Sequence, residues 1–135
     1  MKRLIFILLV GICLFNVSKA QTNTYYCEIK GAEKELSSGL NIVFDLGTGP
    51  VYGVWSNLKD NQKMVDQNGK EIKFNSMVDA GNYMSSKGWK FLQAYSSTYS
   101  SDCIIHWIFT KEAATIEEAM QGIETKETFK KKHKK

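Results

Sequence analysis

Histidine, proline and cysteine are scarce in this 135-residue chain, which holds two, one and three of them respectively. The histidines and cysteines are not spaced as the ligands of a zinc site would be. The acidic residues lack the Asp-x-Asp-x-Asp-Gly pattern of a calcium loop, and no Gly-x-Ser-x-Gly elbow of a serine hydrolase is present. The sequence therefore predicts neither a metal site nor a cofactor. With Pro50 as the single proline, we also expect no long disordered linker.

Long apolar runs are absent except near the N-terminus, where residues 4–15 form one. Lys2 and Arg3 precede this run, and Ser18 and Ala20 place small residues where a signal peptidase requires them. The run has about twelve residues, short of the roughly twenty that a membrane-spanning helix needs. The sequence therefore predicts a signal peptide at 1–20, cleavage after Ala20 and no membrane span afterwards. We expect an exported protein, either periplasmic or secreted.

A strong excess of either charge is also missing. The chain has 18 basic and 14 acidic residues, and the predicted cleavage removes Lys2, Arg3 and Lys19 but no acid. About one net positive charge remains, which does not predict a nucleic-acid partner. The surviving basic excess lies in residues 130–135. We expect this segment to be a solvated, frayed terminus, with binding to an anionic envelope polymer or lipid surface as the alternative.

The rest of the chain has the length and aromatic content of one domain, which we place at 21–123, followed by a basic tail at 124–135. Short segments of alternating or clustered apolar residues predict strands at 25–29, 40–44, 51–55, 63–66, 71–74, 89–95 and 103–109. Asn68 and Gly69 supply a tight reverse turn between two of these segments. We therefore predict an α+β fold, mainly an antiparallel sheet of about five or six strands, with one central helix packed on one face and a short C-terminal helix.

One clear helix is predicted between Ser76 and Lys87. Ser76 is a favourable N-cap with an acid three residues later, and Gly88 is placed to end the helix. The residues that share one apolar stripe are Met77, Ala80 and Met84. Thr115 opens a second, shorter helix that Gly122 closes. We expect the first helix to pack on the sheet, with four other residues in or near the core: Trp89, Phe91, Ile105 and Trp107.

The pairing of cysteines follows from the predicted cleavage. Cys13 leaves with the signal peptide, so Cys27 and Cys103 remain in a compartment that permits disulfides. We predict a bridge between them, with two buried free thiols as the alternative. The bridge requires the strand of Cys27 to lie beside the strand of Cys103, with their Cα atoms about 4.4–6.8 Å apart.

Residues 74–111 combine a helix, a Gly-Trp turn, an apolar strand, a variable loop and an aromatic strand that ends in a basic residue. The residues that carry this pattern are Ala80, Met84, Gly88, Trp89, Phe109, Thr110 and Lys111. The pattern resembles a short bacterial family of unknown function, in which a tyrosine-led strand, here Tyr25-Tyr26, precedes the helix. The resemblance implies an α+β fold and carries no activity, because the family has no assigned catalytic residues. The chain departs from the family by its segment 40–74 and by the tail after residue 111.

Residues 95–102 are rich in tyrosine and serine and are predicted to form the polar loop of a hairpin. Tyrosine and serine also supply the rigid contact area and the adaptable hydrogen bonds that binding loops favour. If the domain binds a ligand at its loops, the candidate residues are Tyr99, Ser97 and Ser100, with Tyr52 and Trp55 as aromatic platforms.

His106 is the one histidine of the predicted domain, and it lies between Ile104 and Ile108 on one face of a strand. A structural role is the favoured interpretation of such a histidine, and a catalytic base is the alternative. We therefore expect a small non-catalytic domain that binds an unidentified partner in the cell envelope or outside it. The alternatives are a structural accessory subunit of an envelope assembly, and a small hydrolase that uses carboxylates or His106.

Overall fold

The computed structural model describes residues 21–33, 40–47, 61–99 and 102–134, and these residues form an α+β fold. Their elements are β1 (Asn23–Glu33), β2 (Leu40–Asp45), β3 (Met64–Val65), α1 (Met77–Ser86), β4 (Lys90–Tyr99), β5 (Asp102–Ala113), α2 (Ile116–Ala119), β6 (Glu124–Thr125) and α3 (Lys126–His133). An antiparallel sheet has the strand order β2-β1-β5-β4, and β3 pairs with β6 in a smaller sheet. The predicted fold class is confirmed. The predicted signal peptide and the strand predicted at 51–55 lie outside the described residues.

Strand β5 pairs with β1 on one side and with β4 on the other, always antiparallel. The register places Cys27 opposite Phe109, and Ile29 opposite Trp107. Residues directly opposite each other share a face of the sheet, and side chains two positions apart along a strand share it too. These four residues therefore lie on one apolar face, built from two strands that are far apart in the sequence.

Helix α1 covers this apolar face, as its sequence pattern predicts. The Ser76 side chain accepts a hydrogen bond from the backbone N–H of Asp79, which makes Ser76 the N-cap. The buried residues of the helix are Met77, Ala80, Gly81 and Met84. Gly88 follows the helix with a φ of 82°, a left-handed conformation that suits glycine because it has no Cβ. The predicted helix is therefore confirmed at both ends.

Gly81 lets α1 approach the sheet closely, although the predicted stripe did not include it. A Cβ at this position would lie 2.9 Å from Cζ3 of Trp107 and 3.5 Å from Cζ of Phe109. Glycine inside a helix is less favourable than alanine by about 1 kcal/mol. The contact with the two rings is the physical reason for a glycine here.

Trp89 lies at the centre of the core, with 1% of its surface exposed. Ile105 and Trp107 are partly buried against the same core, so their predicted placement is confirmed. Phe91 contacts the rings of Trp107 and Phe109 but is 53% exposed. It therefore lies beside the core and not in it, because β4 is an edge strand among the described residues.

Lys111 ties β5 to the ends of two helices. Its ammonium group donates hydrogen bonds to the carbonyl oxygens of Lys87 at 2.8 Å and Ala119 at 2.9 Å. These carbonyls lie at the C-terminal ends of α1 and α2, where the helix dipole favours a positive charge. Thr115 caps α2, and Gly122 follows that helix with a φ of 77°. The second predicted helix is therefore confirmed.

A tight turn follows β3, as the sequence predicts. Gly69 has a φ of 78°, and Oδ1 of Asp66 accepts hydrogen bonds from the backbone N–H groups of Asn68 and Lys70, each at 2.9 Å. Beyond the turn, Glu71 makes an isolated bridge to β3. The strand predicted at 71–74 is therefore reduced to this bridge.

The prediction of a solvated, frayed terminus at 130–135 is wrong about fraying, because residues 130–133 form the last turn of α3, although their side chains are exposed. Thr125 is 5% exposed, and its side chain caps α3. The ring of Phe129 packs on the turn, so closely that a Cβ on Gly69 would lie 2.5 Å from it. Thr125 and Phe129 therefore dock this segment. Neither residue stands out in the sequence, because most of the residues around them are lysines.

The predicted disulfide is also wrong, because the register keeps the two cysteines apart. Cys27 lies opposite Phe109 near the end of β5, whereas Cys103 lies at the beginning of that strand. A strand rises about 3.3 Å per residue, so the two Cα atoms are on the order of 20 Å apart, beyond the reach of a bridge. Both thiols are free, Cys27 buried and Cys103 exposed. The adjacency of β1 and β5 that the bridge required is nevertheless present.

In the folded protein, we expect Cys103 to react with a maleimide and Cys27 to stay unmodified. Burial raises the pKa of the Cys27 thiol, and the carboxylates of Asp45 and Glu28 raise it further. Because the thiolate is the form that reacts, a raised pKa makes Cys27 less reactive. Mass spectrometry of protein that begins at Gln21 should detect one adduct before unfolding and two after it. Cys103→Ser should remove the native adduct. A second adduct on the folded parent, or none in denaturant, would contradict this assignment.

Candidate functional site

Five polar side chains meet on the face of the larger sheet opposite α1, and we call them the polar network. They are Glu28 and Lys30 of β1, His106 of β5, and Tyr95 and Ser97 of β4. His106 lies opposite Lys30 on one side and opposite Tyr95 on the other. Glu28 and Ser97 are its diagonal neighbours on these strands, within reach of a long side chain. Three strands therefore contribute to one site.

A bulge in β4 puts two of these residues on the correct face. The register of β4 with β5 shifts between Phe91 and Gln93. Before the shift, Phe91 lies opposite Phe109 on the apolar face, and after it, Tyr95 lies opposite His106 on the other face. In an unbroken strand, odd-numbered positions would all share the face of Phe91. The extra residue, Leu92, therefore turns the second half of β4 over, as bulges beside functional sites do.

His106 makes hydrogen bonds through both ring nitrogens. Its Nδ1 lies 2.8 Å from Oε1 of Glu28, and its Nε2 lies 2.8 Å from Oγ of Ser97. An ionised carboxylate only accepts hydrogen bonds, so Nδ1 carries a proton and donates a hydrogen bond to Glu28. In the neutral imidazole, Nε2 then accepts the hydrogen bond of the Ser97 hydroxyl. Hydroxyl, imidazole and carboxylate follow the order found in serine hydrolases.

Tyr95 and Lys30 fix the position of the carboxylate. The Tyr95 hydroxyl donates to Oε1 of Glu28 at 2.9 Å, and the Lys30 ammonium lies 3.0 Å from Oε2. The Tyr95 ring also stacks on the imidazole, with centroids 4.4 Å apart and planes at 4°. The His106 side chain is 12% exposed, whereas Ser97 is an exposed residue. The network therefore holds a covered imidazole beneath an accessible hydroxyl.

The hydrogen bonds of the network decide the charge of its members. Burial of Glu28 alone would raise its pKa, but hydrogen bonds from His106, Lys30 and Tyr95 outweigh burial and hold that pKa below its ordinary value. The hydrogen bond to Glu28 raises the pKa of the Tyr95 hydroxyl, because it is made by the protonated form. At neutral pH the carboxylate is therefore ionised and the tyrosine is protonated.

Glu28→Gln is expected to destabilise the fold at neutral pH by about 1–2 kcal/mol, near the usual contribution of hydrogen bonds to a charged group. A carboxyl with a lowered folded pKa stabilises the fold above its ordinary pKa of 4.5, and this stabilisation is lost as the pH falls through the lower folded value. The difference in unfolding free energy between parent and variant should therefore narrow below pH 4.5. Urea denaturation across acidic and neutral pH measures it.

The control for this experiment is Glu112→Gln, which removes a β5 carboxylate that pairs with Thr24 outside the network. We expect the narrowing in acid to be larger for Glu28→Gln than for this control. A difference between parent and Glu28→Gln that does not change with pH would contradict the role of the charge.

The residues predicted as a binding site have different outcomes. Ser97 joins the polar network, and it lies in a strand and not in the predicted loop, because β4 continues to Tyr99. The backbone of Tyr99 pairs with Asp102 at the end of the hairpin. Three candidates lie outside the described residues: Ser100, Tyr52 and Trp55. No local signal in the sequence identifies Glu28, which is 78 positions from His106.

The outer edge of β4 is a second surface of interest. β4 is ten residues long and ends the larger sheet in the described part of the chain. Phe91, Leu92 and Tyr95 are 53%, 54% and 47% exposed, and we call these three residues the β4 edge surface. From residue 93 to residue 99 the strand carries no charge and no proline. Apart from Lys90 and the bulge at Leu92, β4 therefore lacks the charges and prolines with which edge strands usually prevent pairing.

No family model, no curated protein and no solved structure matches this chain. The resemblance to a short bacterial family is therefore still a prediction. Within the ranges that the structure describes, no group of three or more His, Cys, Asp or Glu side chains could hold a metal ion. None of the helices in those ranges is long and apolar enough to cross a membrane.

Proposed function

We propose that the protein is an exported domain that binds an extended segment of a partner protein in the cell envelope or outside it. The exposed edge of β4 carries this proposal, and the signal-peptide pattern of residues 1–20 supports the location. Binding of this kind needs no chemical step.

An edge strand leaves backbone N–H and C=O groups free on its outer side, and an extended peptide can pair with them as an added strand. Main-chain hydrogen bonds then supply affinity, and contacts with alternate side chains supply specificity. Phe91 and Tyr95 expose aromatic rings on opposite faces of β4, since the bulge at Leu92 separates them. A peptide on this edge would therefore contact apolar surface on both of its faces.

The composition of β4 favours one kind of segment. Lys90 is its single charged residue, at the beginning of the strand. The remaining residues are apolar or uncharged, and Lys30 of the nearby network is already paired with Glu28 at 3.0 Å. Beyond Lys90, a strongly charged peptide would find no counter-charge along β4. We propose an uncharged segment of alternating polar and apolar residues as the ligand.

Leu92→Lys tests this proposal, with Val78→Lys as the matched control. Both parent residues are exposed aliphatic side chains, 54% and 58% respectively, and Val78 lies on α1 and not on the β4 edge. Purified parent and variants are used to capture proteins from envelope fractions, and the captured amounts are compared. A lysine on the edge should lower capture about tenfold or more, equal to a loss of at least about 1.4 kcal/mol. Equal capture by Leu92→Lys and the parent would overturn the proposal.

Two alternatives have different support. An accessory subunit of an envelope assembly would use the same β4 edge, and stable co-purification in a fixed ratio would favour it over transient binding. A small hydrolase that uses His106 is favoured by one specific observation, which is the hydrogen-bond order of Ser97, His106 and Glu28.

A further inference from the structure

We propose that Ser97 is a nucleophile that His106 activates, and that the protein cleaves small uncharged carboxylic esters through an acyl-serine intermediate. This inference goes beyond the proposed binding function and rests on the polar network alone. Tyr95 belongs both to this network and to the β4 edge surface, but the inference does not depend on a peptide bound at that edge.

The positions of the three groups carry the inference. Oγ of Ser97 lies 2.8 Å from Nε2 of His106, within the range in which a base takes a proton from a nucleophile. Nδ1 of the same ring lies 2.8 Å from Oε1 of Glu28, which sets the tautomer that leaves Nε2 free to accept. Glu28 acts as a positioning residue here, because it touches the imidazole and not the ester.

The surrounding residues keep this geometry in place. Tyr95 stacks on the imidazole and donates to Glu28, and Lys30 holds the second carboxylate oxygen. These contacts restrict the orientation of the imidazole and of its carboxylate partner. A surface serine that met a histidine by chance would not need these two additional contacts, nor the bulge that brings Ser97 to this face.

The reaction balances with water as the other reactant. Oγ of Ser97 forms a bond to the ester carbonyl carbon while its proton moves to Nε2 of His106. The bond from this carbon to the alkoxy oxygen then breaks, and Nε2 returns the proton to the leaving oxygen. Water repeats the sequence on the acyl-serine, which releases the carboxylic acid and restores the Ser97 hydroxyl.

The charge of the site selects the class of substrate. The Lys30 ammonium is bound to Glu28 at 3.0 Å and lies 4.0 Å from Asp45, so it is not available to an anionic substrate. Gln93 and Tyr95, which share the face of Ser97 on β4, are uncharged. Small esters with neutral acyl and leaving groups therefore fit the surface best.

The expected rate is modest, because the polar network supplies the nucleophile and the base, and among the residues that the structure describes we identify no donor for the oxyanion. A positioned base typically contributes about 10²–10⁴-fold, and oxyanion donors add a separate factor. We expect hydrolysis of p-nitrophenyl acetate by the parent to exceed that of Ser97→Ala by about 10²-fold.

The test uses a fluorophosphonate probe and p-nitrophenyl acetate on the purified protein, with no partner present. Ser97 attacks the probe phosphorus, its proton moves to His106, and fluoride leaves, so one adduct should form and map to Ser97. Ser97→Ala should lose it, while the matched control Ser96→Ala should keep it, because Ser96 is opposite Ile105 on the other face. His106→Gln should slow labelling about 10²-fold. Glu28→Gln should lower kcat for the ester with little change in KM.

Labelling that is as fast in Ser97→Ala as in the parent, or adducts spread over several serines and tyrosines, would overturn the inference. Ser97→Ala removes one hydroxyl from an exposed strand position, so this variant is informative even if His106→Gln does not fold. The result is independent of the capture experiment, which uses unlabelled protein. Absence of any adduct at Ser97 on the folded parent would also overturn the inference.

Discussion

Trp89→Ala should destabilise the fold by about 3–5 kcal/mol, which is comparable to the entire stability of many small domains. Trp89 is 1% exposed, and its backbone N–H donates to the carbonyl of Met84 at 3.1 Å, so the ring is held at the end of α1. Removing it leaves a cavity between the helix and the sheet. Chemical denaturation of parent and variant measures the loss.

Trp89→Phe is the control for this prediction. Nε1 of Trp89 is buried and has no hydrogen-bond partner among the residues that the structure describes. A phenylalanine removes this unsatisfied donor and keeps most of the apolar volume, so its cost should be much smaller than that of Trp89→Ala. If both variants lost the same stability, or if Trp89→Ala lost less than about 1 kcal/mol, the proposed core would be wrong.

Gly81→Ala should destabilise the protein by about 1–3 kcal/mol, the usual cost of overfilling a packed core. The sign of this change in stability is informative, because alanine in an unobstructed helix is more favourable than glycine by about 1 kcal/mol. The new Cβ would lie 2.9 Å from Cζ3 of Trp107, a rigid ring in the middle of β5. Thermal or urea unfolding gives the sign directly.

The same substitution in a Trp107→Leu background provides the control. With the ring removed, Gly81→Ala should become neutral or stabilising, since the helix preference for alanine then decides the outcome. A Gly81→Ala variant that stabilises the parent would show that α1 does not approach the sheet as closely as described.

The elements that the sequence predicted correctly are those with local signals. Helix α1 has its N-cap, apolar stripe and terminal glycine within one short segment, 76–88. The turn after β3 depends on Gly69 and on one aspartate, Asp66. Such signals are complete within a few residues, so no knowledge of the rest of the fold is needed to interpret them.

Register across distant strands could not be predicted in the same way. The disulfide prediction placed β1 beside β5 correctly, but pairing of Cys27 with Phe109 separates the cysteines along the strand. The bulge at Leu92 is equally non-local, because a shift of one residue exchanges the two faces of a strand. The sequence predicts a loop at Ser97, whereas this shift places Ser97 in β4 beside His106.

Composition also misled the interpretation of the C-terminal segment. Its lysines indicated a solvated tail, but Thr125 and Phe129 dock it on the turn after β3. The lysines at 130–132 lie on the exposed side of α3, where Lys131 pairs with Glu127 at 2.6 Å. A high count of charged residues therefore did not exclude an ordered helix that docks through its buried N-cap and one aromatic ring.

The edge of β4 and the polar network are close to each other, but their proposed functions require different structural features. The edge needs free backbone groups and exposed side chains such as Leu92, whereas the network needs a fixed imidazole, His106. Since Tyr95 contributes its ring to both, a partner bound along β4 would also cover His106 further. Binding and the chemistry of Ser97 would then influence each other.

The most direct test of the β4 edge as the binding surface is photo-crosslinking in cells that produce the full chain. The photoreactive residue p-benzoylphenylalanine is placed at position 92 in one strain and at position 78 in another. The parent residues there, Leu92 and Val78, are similarly exposed at 54% and 58%. We expect irradiation to link position 92, and not position 78, to one extended segment of an envelope or secreted protein. Crosslinks of equal yield from both positions, or crosslinks from position 78 alone, would contradict binding at the β4 edge.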